Sequence, residues 1–202
     1  MDIQPVTLVG RYVCLAPMVV EHAEALFDAA NEPEIWRYMP YGEVNTVPRL
    51  RAVLVELLGR QTRGTDLCFV TIHAQTGRPI GMTRFMEIQR ANRCVEIGGT
   101  WLGRAYRRSE ANTEAKVMML RHAFEIWGCI RVQIKTDVRN ERSQRAIERL
   151  GLVREGVLRK SIIMPDGFQR SSVYYSMLDD EWPAAKIRLQ AMLDGGAHNA
   201  QP

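Results

Sequence analysis

CVEIGGTWLGRAYRRSEANTEAKVMMLRHAFEIWG, Cys94 to Gly128, holds the change of periodicity on which the fold turns. Its opening, CVEIGGTW, is a short apolar run with β-branched and aromatic residues and reads as a strand. From Asn112 to Trp127 the apolar residues fall on more than one face of a helix, which Gly128 stops. A helix of that kind is buried against a sheet. Between strand and helix lies YRRSEANTEAK, Tyr106 to Lys116, a basic, polar lead into a buried element. A helix start leaves its first amides unpaired and carries the positive end of the helix dipole, so it attracts phosphate, and nearby arginines add charge-assisted bonds. The same residues also make an ordinary capped helix with exposed arginines, and the loop alone does not choose between the two.

Upstream of this stretch, LCFVTIHA (67–74), the turn QTGR, PIGMTRFMEI (79–88) and the turn RANR lead into CVEIGGTW, so three β runs with short polar turns predict an antiparallel meander. Further upstream a strand is expected near Tyr12 to Ala16, a helix in EHAEALFDAA, and a second helix capped by Thr46, with Pro48 in its first turn, running to about Gln61. Downstream, IRVQIKTD (130–137) reads as a strand and RNERSQRAIERLG as a helix ending at Gly151. LVREGVLRKSII and SSVYYSML read as strands joined by the turn Pro165-Asp166-Gly167, with a last helix in EWPAAKIRLQAML. The expectation is one α/β (α+β) domain over residues 1–194, a mixed, mostly antiparallel sheet flanked by helices, with a frayed tail at 195–202.

The bulk numbers agree with a single globular unit. A chain of 202 residues buries roughly 70% of the surface of its unfolded form. Hydrophobic residues at 46% and charged residues at 25% exclude disorder. The early apolar run VCLAPMVV (13–20) is too short to cross a bilayer, is broken by Pro17 and has no cleavage pattern, so a cytoplasmic protein with no membrane contact is expected. The net charge of +4 and pI near 9.0 are spread over the chain. Without a basic stripe or interleaved aromatics they suit an anionic small ligand better than nucleic acid. Cys14, Cys68, Cys94 and Cys129 are isolated in apolar segments, and the histidines do not pair with them at metal-ligand spacing, so reduced thiols and no metal are expected.

Taken together, VEIGGTWL (95–102), NTEAK (112–116), HAFE (122–125), RVQIKTDVRNERSQRAIERLG (131–151) and EGVLR (155–159), with Asp166-Gly167 and EWP (181–183), resemble the GCN5-related N-acetyltransferase (GNAT) family and its RimJ/RimL-like group. The match spans nearly the whole chain in order and spacing. The resemblance implies an acetyl-CoA-dependent transfer to a primary amine. It also implies that Trp101, Leu102 and the segment Arg107, Arg108, Ser109, Glu110, Ala111, Asn112 and Thr113 hold coenzyme A, its pyrophosphate resting in the loop. The family places glycines in that loop where Arg108 and Glu110 stand. By the same resemblance Asn140, itself a natural helix cap, contacts the pantetheine arm.

Acyl transfer to an amine needs a neutral nucleophile and a proton for the departing thiolate. Glu96, just before Gly98 and Gly99, is the candidate base, directly or through water. A structural carboxylate bonding a neighbouring strand or arginine is the other reading of Glu96. Glu87 and Gln89 on the preceding strand are fallbacks. The tyrosine that many GNAT enzymes carry seven residues after the capping Asn is replaced by Ile147, and the RimL-like resemblance transfers the general-acid role to Ser143. An ordinary first-turn serine is the alternative there. Arg84 and Arg90 suit either an acidic acyl chain such as succinyl or plain surface charge.

An α-amino group, with a pKa near 8, is partly neutral where a lysine is not, which favours a peptide N-terminus or a small amine as acceptor. From another class, a non-catalytic acyl-CoA-binding or regulatory module would use the same cleft, and the missing glycines and tyrosine keep that reading open. A homodimer through the closing strand and the amphipathic tail is the common expectation for a protein of this size.

Overall fold

The computed structural model describes residues 1–196. Eight strands form one sheet: β1 (Leu8–Val9), β2 (Val13–Pro17), β3 (Leu67–His73), β4 (Pro79–Gln89), β5 (Cys94–Leu102), β6 (Arg131–Asp137), β7 (Val153–Ile163) and β8 (Gln169–Leu178). Their order across the sheet is β1-β2-β3-β4-β5-β6-β8-β7. Every neighbouring pair is antiparallel except β5 with β6. The meander is β3-β4-β5, and the second antiparallel block is β6-β8-β7. The α/β expectation therefore holds.

Alternation along the strands supplies two apolar faces, and the helices divide between them. Leu67 and Phe69 of β3 face α4 (Glu110–Arg121), α5 (Glu141–Leu150) and α6 (Trp182–Gly196). Cys68 and Val70, one residue out of step, face α1 (His22–Ala30), the short α2 (Pro33–Trp36) and α3 (Val47–Thr62). α3 starts as expected: Thr46 Oγ1 accepts from the Arg49 N–H, and Pro48 sits in the first turn.

α4 continues into one π-helical turn, His122–Ile126, in which the Trp127 N–H reaches the His122 carbonyl at 3.0 Å. The wider turn lets both Phe124 and Trp127 stay buried. Glu114 fastens α4 to the start of β2: its carboxylate accepts the backbone N–H of Arg11, Tyr12 and Val13 at 2.7, 2.7 and 2.8 Å. Gly195 and Gly196 belong to α6. The rest of the expected tail, 197–202, lies outside the described residues.

Candidate active site

β5 and β6 run parallel over three residue pairs only, Cys94–Arg131, Val95–Val132 and Glu96–Gln133. Past Glu96 the two strands separate. The register between β4 and β5 shifts between Met82 and Arg84 and again between Met86 and Gln89, which bends β5 away. Gly99 sits in that bend at φ +58, and the Arg84 guanidinium lies over it, 3.0 Å from where a Cβ would stand. Conformation and space both require glycine there.

The opening is a cavity of about 500 Å³. Ile97 to Leu102 line it from β5, Ile134 to Thr136 from β6, Asn112 and Lys116 from α4, and Asn140, Ser143 and Ile147 from α5 and its cap. Tyr38 and Tyr41 close it from the segment after α2.

Glu96 stands at the vertex, 1% exposed. Its Oε2 accepts from Gln133 Nε2 and from Lys135 Nζ, each at 2.9 Å, and both donors belong to β6. The carboxylate therefore clasps the two strands where they part. Its Oε1 lies 3.3 Å from where a Gly98 Cβ would stand, directed along β5 beside the cavity. One oxygen of Glu96 thus binds β6, while Oε1 has no hydrogen-bond partner among the described residues.

Glu87 also lines the cavity, exposed and in a left-handed conformation at φ +50. Gln89 instead accepts a bond from Asn92 in the adjoining turn. Arg84 corrects the surface-charge reading. It is buried, 2.9 Å from the Asp66 carboxylate in an ionic contact off hydrogen-bond alignment, and it donates to the Tyr41 hydroxyl.

The basic loop divides its two arginines. The Arg107 guanidinium is held by Glu32 at 2.8 Å, by Glu34 at 3.4 Å and by the Leu102 carbonyl at 3.0 Å, so it joins β5 to the α2 region. Arg108 takes a left-handed φ of +62, the conformation glycine adopts freely, and pairs with no carboxylate among the described residues. Ser109 caps α4, its Oγ accepting from the Ala111 N–H at 3.3 Å, and Glu110 is the first helical residue. Ala111 and Thr113 turn into the protein, where Thr113 Oγ1 accepts from Arg149 of α5 at 3.0 Å. Trp101, Leu102, Arg107, Asn112, Asn140, Ser143 and Glu96 line the cavity, while Arg108, Ser109, Glu110, Ala111 and Thr113 form the rim and first turn beside it.

At the far wall Asn140 caps α5, its Oδ1 accepting from the Ser143 N–H at 3.1 Å. That leaves the Ser143 hydroxyl without a protein hydrogen bond among the described residues. Ile147 is buried one turn further along.

Lys116 is the residue that sequence reasoning missed. It is 5% exposed and lines the cavity. Its amine donates to Thr83 Oγ1 at 3.2 Å and to Thr100 Oγ1, with no carboxylate as partner. Burial alone pulls its pKa down to about 7. The sequence signal was a lysine in a helix read as buried, one turn after Asn112. Trp101 Nε1, in contrast, is a buried donor of the lining without a partner among the described residues. Cys68 and Cys129 are buried thiols, pushed up to about 12 and about 11 mainly by burial, and are unreactive on that account. Among the described residues no three His, Cys, Asp or Glu side chains come together as metal ligands.

Comparison with known proteins fits this architecture. The family model described as acetyltransferase (GNAT) domain matches residues 13–153. "Putative ribosomal N-acetyltransferase YdaF" of Bacillus subtilis is 33% identical over 110 residues, 54% of this chain and 59% of that protein. The chain thus spans little more than half the length of that relative. A solved structure described as "putative acetyltransferase from T. thermophilus" is 40% identical with a TM-score of 0.87, covering 96% of this chain and 100% of that one. Mycobacterium smegmatis RimJ, solved in complex with CoA-disulfide, shares the fold at 22% identity and a TM-score of 0.77, over 89% of this chain and 88% of that one. The parallel seam that opens after three residue pairs, the capped helix beside it and the match over residues 13–153 together place the chain in the GCN5-related N-acetyltransferase (GNAT) family.

Proposed function

We propose that the protein transfers an acetyl group from acetyl-CoA to a primary amine, with the N-terminus of a peptide or protein as the acceptor class. The observation that carries this reading is the wedge between β5 and β6. It presents two strand edges that no longer pair with each other, and it runs from the positive end of α4 to the vertex at Glu96. The fit to an acyl-CoA is chemical. The first amides of α4 and the Arg108 guanidinium suit phosphates. The free strand edges suit a chain of amides, and the partnerless Trp101 Nε1 supplies a further donor.

Thioester and amine would meet beside Gly98. Glu96 Oε1 receives the proton of the attacking amine, directly or through one water, while Gln133 and Lys135 fix the other oxygen. As the carbon–sulfur bond breaks, the Ser143 hydroxyl returns a proton to the thiolate, a role supported by its place in the cavity lining and one that Ile147 cannot fill. Holding the reactants together contributes roughly 7–11 kcal/mol by itself, against about 10²- to 10⁴-fold for proton transfer. Graded losses are therefore expected from single substitutions. The relative named as a ribosomal N-acetyltransferase, together with the partly neutral state of an α-amino group at physiological pH, directs the acceptor toward a protein N-terminus.

Calorimetric titration with acetyl-CoA, followed by a thiol-release assay with short peptides bearing free N-termini, tests the proposal. Micromolar binding and thiol release that depends on the peptide are expected. Binding without release for any amine would favour the non-catalytic module, a reading to which the ion-paired Glu96 and the replacement of the usual tyrosine by Ile147 lend weight. Faster release from succinyl-CoA than from acetyl-CoA would change the acyl group. Absence of binding would overturn the reading.

A further inference from the structure

We propose that Lys116 is the buried counter-charge for a phosphate of the acyl donor, so that binding of the donor delivers a proton to this side chain; the inference rests on the acetyl-CoA reading above.

The geometry leads there in three steps. An ammonium has three donors, and the protein engages Lys116 with two hydroxyls, Thr83 of β4 and Thr100 of β5, which also bond each other at 2.7 Å. One donor position remains. Second, the amine lines the same cavity as Asn112, and the four-residue spacing places both on one face of α4, a single turn of about 5.4 Å apart. Side chains on a helix lean toward its N-terminus. Lys116 therefore reaches back toward the unpaired amides at which a phosphate would sit. Third, a buried ammonium without a counter-ion is costly, and the protein relieves that cost only by leaving the amine largely neutral above pH 7. A phosphate arriving at the start of α4 reverses the balance, because the charged form then has a partner.

The other ionisable groups around the cavity do not take this role. Lys135 is already held by Glu96, Arg84 by Asp66, and Arg107 by Glu32 and Glu34. β4 and β5 turn only hydroxyls toward the amine, and burial is the sole cause of its lowered proton affinity, so no acid or base of α4, α5 or the sheet acts on it appreciably. Arg60 pairs with Glu56 and Arg170 with Asp137, and Glu87 and Arg142 are the remaining charged residues of the lining.

The test is calorimetric titration of the full chain with acetyl-CoA at pH 8 in two buffers of different ionisation enthalpy, which reads proton exchange directly. The second ionisation of a phosphate monoester, near 6, is complete at that pH. An amine of pKa about 7 is roughly nine-tenths neutral there. Uptake of about 0.9 proton per donor bound is expected, with affinity falling toward tenfold per pH unit above pH 7. Lys116→Met, and Lys116→Gln as a second uncharged variant, should bind more weakly, exchange almost no protons and lose the pH dependence. Binding by the unaltered protein without proton uptake would overturn the inference and leave the acetyl-CoA reading standing. Uptake that persists in both variants would overturn it as well, and failure of the unaltered protein to bind would overturn both.

Discussion

Glu96 carries two duties in one carboxylate, and substitution separates them. Glu96→Gln keeps the shape but removes the charge that Lys135 binds. A fall in kcat of roughly 10²-fold is expected, with acetyl-CoA affinity within about twofold of the original. Steady-state kinetics beside calorimetry checks this, and an unchanged kcat would remove Glu96 from the chemistry. A drop in Tm for the same variant reports the clasp. Lys116 makes a second prediction at this scale. Its pKa in the folded protein, about 7, lies below the ordinary 10.5, so between those values the unfolded chain binds more protons and stability rises with pH. The penalty is complete below pH 7 and gone above about 10.5. Lys116→Met should therefore raise Tm at pH 6 by more than it does at pH 10, as thermal melts across that range would show. That Glu96 and Ser143 would face one cavity was legible because their residue types sit in a recognisable order along the chain. Lys135 and Lys116 were not, since each owes its surroundings to partners on other elements: Glu96 of β5 for Lys135, and Thr83 of β4 with Thr100 of β5 for Lys116.

Among the elements, α4 bears the most consequence. Its Glu114 accepts three backbone amides, so Glu114→Ala should cost on the order of 3 kcal/mol or more. In a chain of this length that is a fall in Tm of roughly 6–12 °C. The loop in front of it holds Arg108 in a left-handed conformation, which costs a side-chain-bearing residue about 1–2 kcal/mol. Arg108→Gly should hold or slightly raise Tm while weakening acetyl-CoA binding several-fold, because it relieves strain and removes a cation together. A loss of stability with unchanged affinity would show that the guanidinium serves the fold instead. The long elements were readable from periodicity, caps and turns. The two-residue β1, the four-residue α2 and the π-helical turn were not, because each is set by packing against neighbours and has too little chain to show a period.

At the scale of the whole molecule, the mixed, mostly antiparallel sheet and its flanking helices follow from periodicity, turn signals and the resemblance. The opening between β5 and β6 does not follow from composition or periodicity, because it depends on where a ladder stops. The stopping point follows from the Gly99 bend, the register shifts against β4 and the guanidinium lying over them. That short seam has a further consequence for how the chain reaches its native state. β3-β4-β5 and β7-β8 are hairpins between neighbours in sequence, whereas β5 and β6 meet only after α4 has crossed between them. Local pairings close quickly and distant ones slowly. The two halves of the sheet should therefore zip separately and be stitched together last, so that in a refolding time course the catalytic cleft is born in the final phase, after most of the secondary structure has returned.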